Sequence, residues 1–268
     1  MKGVGRGTRM AGRTVFMSAS VPARHRSQDF HRIADASLEI EQAVVSLTRA
    51  VLSEGGTLVF GGHPAISPLV ATVAGEYRPA RFAESLEERP RAQVQIYQSK
   101  IFLGHAPEET MLMFSHGLAD VHWIDKDPSE DFNDPPPPQG SRFPLSLRRM
   151  REAMIGRTDA DCMVAIGGME GVIEEARLFR TFRPGRPRYV LKGTGGASLV
   201  IGERAEGPFD FIDERVMRER SRRRPERPLE AAGEHRLEDV RRKELEAEVV
   251  PYPLIMQTIV EELARGGE

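Results

Sequence analysis

The stretch Cys162-Met163-Val164-Ala165-Ile166-Gly167-Gly168-Met169-Glu170-Gly171-Val172-Ile173-Glu174-Glu175 passes from an apolar run of strand length through a glycine turn into a segment of helical periodicity. Val172, Ala176, Phe179 and Phe182 fall on one side of that helix. This is a strand–turn–helix unit, and the same unit recurs on both sides. Upstream, Thr14 to Ser18 reads as a strand, followed by a helix carrying Ile33, Ile40, Val44, Leu47 and Val51 and ended by Gly55-Gly56. Thr57 to Phe60 is a second strand that enters Gly61-Gly62-His63-Pro64, and Ser67-Pro68 predicts the capped start of a helix running to about Tyr77. Residues 93–97 and 121–124 predict further strands with a helix over 108–116 between them, and a helix over 145–155 presents Leu147, Met150 and Met154. Arg188 to Leu191 is the last strand before Gly193-Thr194-Gly195-Gly196, where the core is expected to end. Strands alternating with helices predict an α/β fold, a Rossmann-like open parallel sheet with helices on both faces.

The flanks differ from this core. Residues 1–13 are basic and glycine-containing, and are expected to be a disordered lead-in. The domain is expected over 14–212, interrupted at 127–144 by a long surface loop holding the consecutive prolines Pro135 to Pro138. Residues 213–248 are dense in both charge signs and predict a solvated arm, its Arg-rich part at 215–227 included; an amphipathic helix with Ile255, Ile259 and Leu263 follows, completing a C-terminal region over 213–268.

A chain of 268 residues, 40% hydrophobic and 29% charged, can bury a full core. Its formal net charge of -2 offers no general field for nucleic acid or an acidic membrane, so electrostatic recognition must be local. The single cysteine, Cys162, excludes an internal disulfide and sits in an apolar run, which favours a buried thiol and a cytoplasmic location. No segment has signal-peptide or membrane-spanning character. His105, His116 and His122 lack the spacing of metal ligands, and neither a metal nor a cofactor is expected.

In an open parallel sheet, ligands bind beyond the carboxyl ends of the strands, where glycine admits close backbone approach and helix N-termini present free N–H groups. Three turns have that form: Ser18-Ala19-Ser20, Gly61-Gly62-His63-Pro64 and Gly167-Gly168-Met169-Glu170-Gly171. Each has an ordinary structural reading as well, since glycine serves tight turns and acidic residues such as Glu174 and Glu175 stabilise the first turns of a helix. Ser18, Ala19, Ser20, Gly61, Gly62, His63, Gly167, Gly168, Met169, Glu170 and Gly171 are the candidate ligand contacts. Arg148 joins them from the helix before the glycine turn.

Gly167-Gly168, Gly171 and Glu174-Glu175 resemble the GG-x-G-T-x-x-E signature of LOG-type proteins, and Met150-Arg151 lies one helix and one strand upstream, as does the Met/Arg motif of that group. With Met17 to Ser20 and Gly61-Gly62 also in place, residues 14–199 resemble the SLOG superfamily in order of elements. The chain departs from the signature in having Ile166 before the glycine pair, two residues before the next glycine, and Val172 in place of threonine. Glu170 also puts a carboxylate at the turn, where it competes with an anionic ligand. These departures bring it nearer the SLOG domains associated with bacterial defence and nucleotide signalling.

The resemblance implies binding of a nucleotide-derived ligand, ADP-ribose-like or related, by a sensor or regulatory module. It leaves as an alternative a nucleotide N-glycosidase in which Arg151, Glu174 and Glu175 are the catalytic residues. Expected partners are that small molecule, a second copy of the chain through the C-terminal apolar stripe, and an effector protein. A role on nucleic acid is disfavoured by the charge balance.

Overall fold

A computed structural model describes residues 9–22, 30, 36–77, 92–135, 137, 141–223 and 250–266. Six strands form one sheet: β1 Thr14–Ser20, β2 Thr57–Gly61, β3 Val94–Ser99, β4 Ala119–Ile124, β5 Cys162–Gly167 and β6 Arg188–Leu191. Their order across the sheet is β4-β3-β2-β1-β5-β6, with every neighbouring pair parallel. The chain winds outward from β1 to β4 and then returns to the other side of β1. The order of strands therefore reverses between β1 and β5, where Ser18 stands opposite Ala165 and Ser20 opposite Gly167. The α/β, Rossmann-like parallel architecture expected from the alternating pattern is the one found.

Period-two alternation within the strands sends side chains to two separate cores. Val15, Met17, Leu58, Phe60, Val164 and Ile166 join one core. It is covered by α1 Ser37–Ser53, α2 Ser67–Glu76 and the C-terminal helix Tyr252–Arg265, here α8. Phe16, Val59, Tyr97, Met163 and Ala165 point the other way. They meet α4 Pro144–Arg157, α5 Glu170–Phe182 and α6 Gly196–Arg204. On that second face Phe16 and Phe179 stack with ring centroids 5.9 Å apart. The remaining helices are α3 Glu108–Ser115, before β4, and α7 Ile212–Arg223.

Several boundaries move outward from the sequence expectation, because packing extends elements past the reach of local pattern. The core does not end at Gly193 to Gly196: α6 follows at once and buries Ala197, Val200 and Ile201. Residues 9–13 are not a free lead-in. Met10 is fully buried against the α1–β2 connection, its N–H bonded to the Glu54 carbonyl at 2.9 Å. The rest of that segment, residues 1–8, lies outside the described residues, as do Ile33 and residues 224–249. Where the charged arm is described it is helical, and Ile212 and Val216 of α7 are buried. Arg215 bridges Asp210 and Glu262, both at 2.8 Å, so the first arginine of the basic segment is spent on the fold.

The C-terminal stripe needs no second molecule. Ile255, Met256, Ile259 and Val260 are fully buried, and α8 packs along α1 of its own chain. Phe182, expected on the buried side of α5, is 41% exposed at the helix end. Among the described residues no helix is long and apolar enough to cross a membrane, and no group of His, Cys, Asp or Glu side chains could hold a metal ion.

Candidate functional site

A cavity of about 510 Å³ lies at the carboxyl ends of β1, β2 and β3, within the range of roughly 300–1,000 Å³ usual for small-molecule sites. Glycine permits it to form. A Cβ on Gly62 would stand 2.5 Å from Oε1 of Gln98, which lines the cavity from β3. His63 follows Gly62, and its turn is tied to α2: the His63 N–H donates to Ser67 Oγ at 3.3 Å, and Ser67 N–H donates to the His63 carbonyl at 2.8 Å. Ser67 was expected as a side-chain cap of α2; its hydroxyl instead holds this turn and accepts from Thr110 Oγ1 at 3.0 Å. The ring Nδ1 of His63 accepts from the Ala65 N–H at 3.2 Å, which leaves the proton of a neutral ring on Nε2. Burial lowers the His63 pKa, so that ring is neutral near pH 7.

One end of the cavity is polar and buried. Arg151, on α4, donates from Nε to Glu175 at 3.3 Å and from Nη1 to Glu174 at 2.5 Å. Ser18 on β1 donates its hydroxyl to the other oxygen of Glu175. The Arg151 and Glu175 side chains are only 14% and 12% exposed, while Glu174 is 33% exposed. Burial pushes the Glu175 carboxyl up from its ordinary value, opposed by Arg151 and Ser18. Gly171 makes room for this arrangement, since a Cβ there would sit 2.6 Å from Nη2 of Arg151.

The other end is aromatic and comes from residues that pattern reading did not select. Phe102 and His105 follow β3, and Phe132, Arg142 and Phe143 belong to the proline-containing segment expected as a surface loop. His105 and Phe132 stack at 3.9 Å with nearly parallel rings, and Phe102 meets Phe143 edge-on at 5.6 Å. The described part of this segment is tied to α4, since Glu130 accepts the N–H groups of Leu145 and Ser146, both at 2.8 Å, at the start of that helix; residues 136 and 138–140 lie outside the described residues. A carboxylate there also meets the positive end of the helix. Phe102 and His105 could have been found by extending the strand-end rule to β3; aromatic residues among prolines and acids were the signal for the rest.

Of the residues selected from sequence, Ala19, Gly61, Gly62, His63, Arg151 and Glu175 line the cavity. Ser18, Glu174 and Gly171 touch it through Glu175 or Arg151. Ser20, Gly167, Gly168, Met169, Glu170 and Arg148 do not line it. Arg148 is exposed and paired with Glu152 at 3.0 Å. Glu170 is exposed at the first position of α5, where an acid suits the helix dipole.

The glycine pair itself is occupied by its own chain. Gly167 N–H donates to Thr194 Oγ1 at 2.7 Å, Ser198 Oγ donates to the Gly167 carbonyl at 3.2 Å, and Ala197 N–H donates to the Gly168 carbonyl at 2.8 Å. Cβ atoms on Gly167 and Gly168 would strike Ile40 at 2.5 Å and Val172 at 2.2 Å, and both residues have positive φ. Val172, where the LOG signature has threonine, is buried in the second core.

Fold and cavity together define a doubly wound α/β protein with a cavity at its strand ends. The chain belongs to the SLOG cluster3 family, whose model matches residues 29–134 and 140–215. No curated protein matches it. Among solved structures, the X-ray structure of TM1055, a Northeast Structural Genomics Consortium target, is similar at 16% identity over 71% of this chain and 81% of that one, with a TM-score of 0.43.

Proposed function

We propose that this protein binds a nucleotide-derived ligand, of the ADP-ribose kind, in the cavity beyond β1 to β3 and acts as a sensor or regulatory module. Membership of the SLOG family supports a nucleotide-related function at the level of the family. The observation that carries the reading is a cavity with one polar and one aromatic end, which matches a molecule made of a sugar and a planar base. Arg151 and Glu175 present a hydrogen-bonding edge suited to ribose hydroxyls, and His63 adds a neutral N–H donor. Output would pass to an effector protein or a second copy of the chain. Because α8 is already covered by α1, assembly would use a different face.

Calorimetry on the full chain with AMP, NAD and ADP-ribose tests this. The expected result is one ligand bound at micromolar affinity or tighter; absence of heat across the panel overturns it.

The placement of Glu175 beside Arg151 on the cavity wall, its carboxyl raised by burial, favours a second reading, nucleotide N-glycosidase activity. A protonated Glu175 could deliver its proton to the departing base as the N-glycosidic bond breaks. Water would supply the new C–O bond and return a proton to the Glu175 carboxylate, with Arg151 holding the ribose portion. Chromatographic detection of free base on incubation with AMP or NAD, lost in Glu175→Gln, would establish it. Intact nucleotides after incubation with folded protein would remove it.

A further inference from the structure

We propose that Arg142 is the phosphate-binding residue of this cavity, so that the ribose hydroxyls lie at the Arg151–Glu175 end while base and phosphate share the aromatic end. This rests on the reading that the cavity takes a nucleotide. Two arginines line the cavity, and they differ in what they can offer an anion. Arg151 faces two carboxylates, Glu174 and Glu175, so the buried end has no cation to spare for a phosphate. Arg142 makes no ion pair among the described residues and is exposed.

The guanidinium of Arg142 is nonetheless held in place. It lies 5.0 Å from the ring centroids of both Phe132 and Phe143, and its Nη2 donates to the carbonyls of Phe132 at 2.7 Å and Asp134 at 3.2 Å. Nε and Nη1 keep their N–H groups, and an arginine fixed in plane loses little freedom on receiving a phosphate. The carboxylates nearest in sequence are committed elsewhere. Asp131 pairs with Lys126 at 3.2 Å, Asp134 accepts the Asp131 N–H at 2.7 Å, and Glu130 caps α4; none of them lines the cavity. The glycine turn after β5 does not line the cavity, and its Gly167 N–H is taken by Thr194 Oγ1.

The test compares adenosine, AMP and ADP-ribose by calorimetry on the full chain and on Arg142→Gln and Arg142→Lys. Wild type is expected to bind AMP or ADP-ribose about tenfold or more tightly than adenosine, the scale of one charge-assisted phosphate contact. Arg142→Gln is expected to abolish that preference while leaving adenosine affinity within about threefold, and Arg142→Lys to restore part of it. The assignment to Arg142 is overturned if wild type shows no preference for the phosphate, if the preference survives in Arg142→Gln, or if that variant weakens adenosine as much as AMP. Wild type binding none of the three compounds overturns the nucleotide reading of the cavity and this assignment with it.

Discussion

Ser18 and Glu175, 157 positions apart in the chain, are joined by a hydrogen bond from the serine hydroxyl to the carboxylate. That bond and the contact of Arg151 with the same carboxylate draw β1, α4 and α5 to one point at the buried end of the cavity. The proposed ligand site and the local packing therefore share the same few groups.

Gly171→Ala tests the room left for Arg151. Gly171 has no positive φ, so the backbone accepts alanine, but the new methyl would stand 2.6 Å from Nη2 of Arg151. The guanidinium end is flexible and should move aside. Thermal unfolding is expected to shift by only a few degrees, roughly the scale of 1 kcal/mol, while affinity for the nucleotide ligand falls about tenfold or more. Unchanged affinity by calorimetry would show that Arg151 does not need its present position.

Glu175→Gln tests the cost of a buried charge. The folded carboxyl is raised above its unfolded value, so the folded state holds the proton more tightly. That stabilisation is full below the unfolded pKa of about 4.3 and is lost as pH rises through the higher folded value. Denaturant unfolding from pH 4 to pH 8 should show wild type losing stability relative to Glu175→Gln as pH rises. Parallel curves would contradict the raised pKa.

His63 has the opposite dependence. Burial lowers its pKa below the ordinary 6.5, so protonation favours the unfolded chain. Its contribution is complete above about pH 6.5 and declines as pH falls toward the folded value. NMR should find the His63 ring titrating below the range of free imidazole. His63→Gln should flatten the acid-side loss of stability.

Val172→Thr restores the LOG residue without restoring its role. The side chain is buried in the second core and packs over Gly168, so a hydroxyl there enters apolar surroundings. A loss of about 1–3 kcal/mol is expected, with no gain in nucleotide affinity. A gain seen by calorimetry would mean that the position faces the ligand.

Ile259→Ala tests whether α8 belongs to the domain. Ile259 is fully buried on the side that meets α1, and its truncation is expected to cost about 2–5 kcal/mol in chemical denaturation. A change under about 0.5 kcal/mol would mark α8 as an independent appendage.

Much of the fold was legible because its signals are local. Apolar runs such as Cys162 to Ile166 and helical spacing such as Ile40, Val44, Leu47 and Val51 report which side of an element is buried, whatever lies opposite. The turns after β1 and β2 were legible for the same reason. The glycine turn after β5 was visible too, but the sequence does not say what fills the space its glycines leave open. Ile40, Thr194, Gly196 and Ser198 fill it, all distant along the chain.

The sequence by itself determined the parallel α/β class, the order of most elements and the presence of Arg151, Glu174 and Glu175 on consecutive helices flanking β5. Only the tertiary structure decided that Ser18 and Arg151 meet at Glu175, that the segment with Phe132, Arg142 and Phe143 walls a cavity, and that α8 closes over α1. The physical reason is that periodicity records burial, a property of one residue, whereas a site is made by contacts between residues whose pairing depends on sheet order and packing. Arg142 shows the difference: in sequence it is one more charged residue beside a proline run, and in the fold it is a fixed cation on two aromatic rings, facing the cavity.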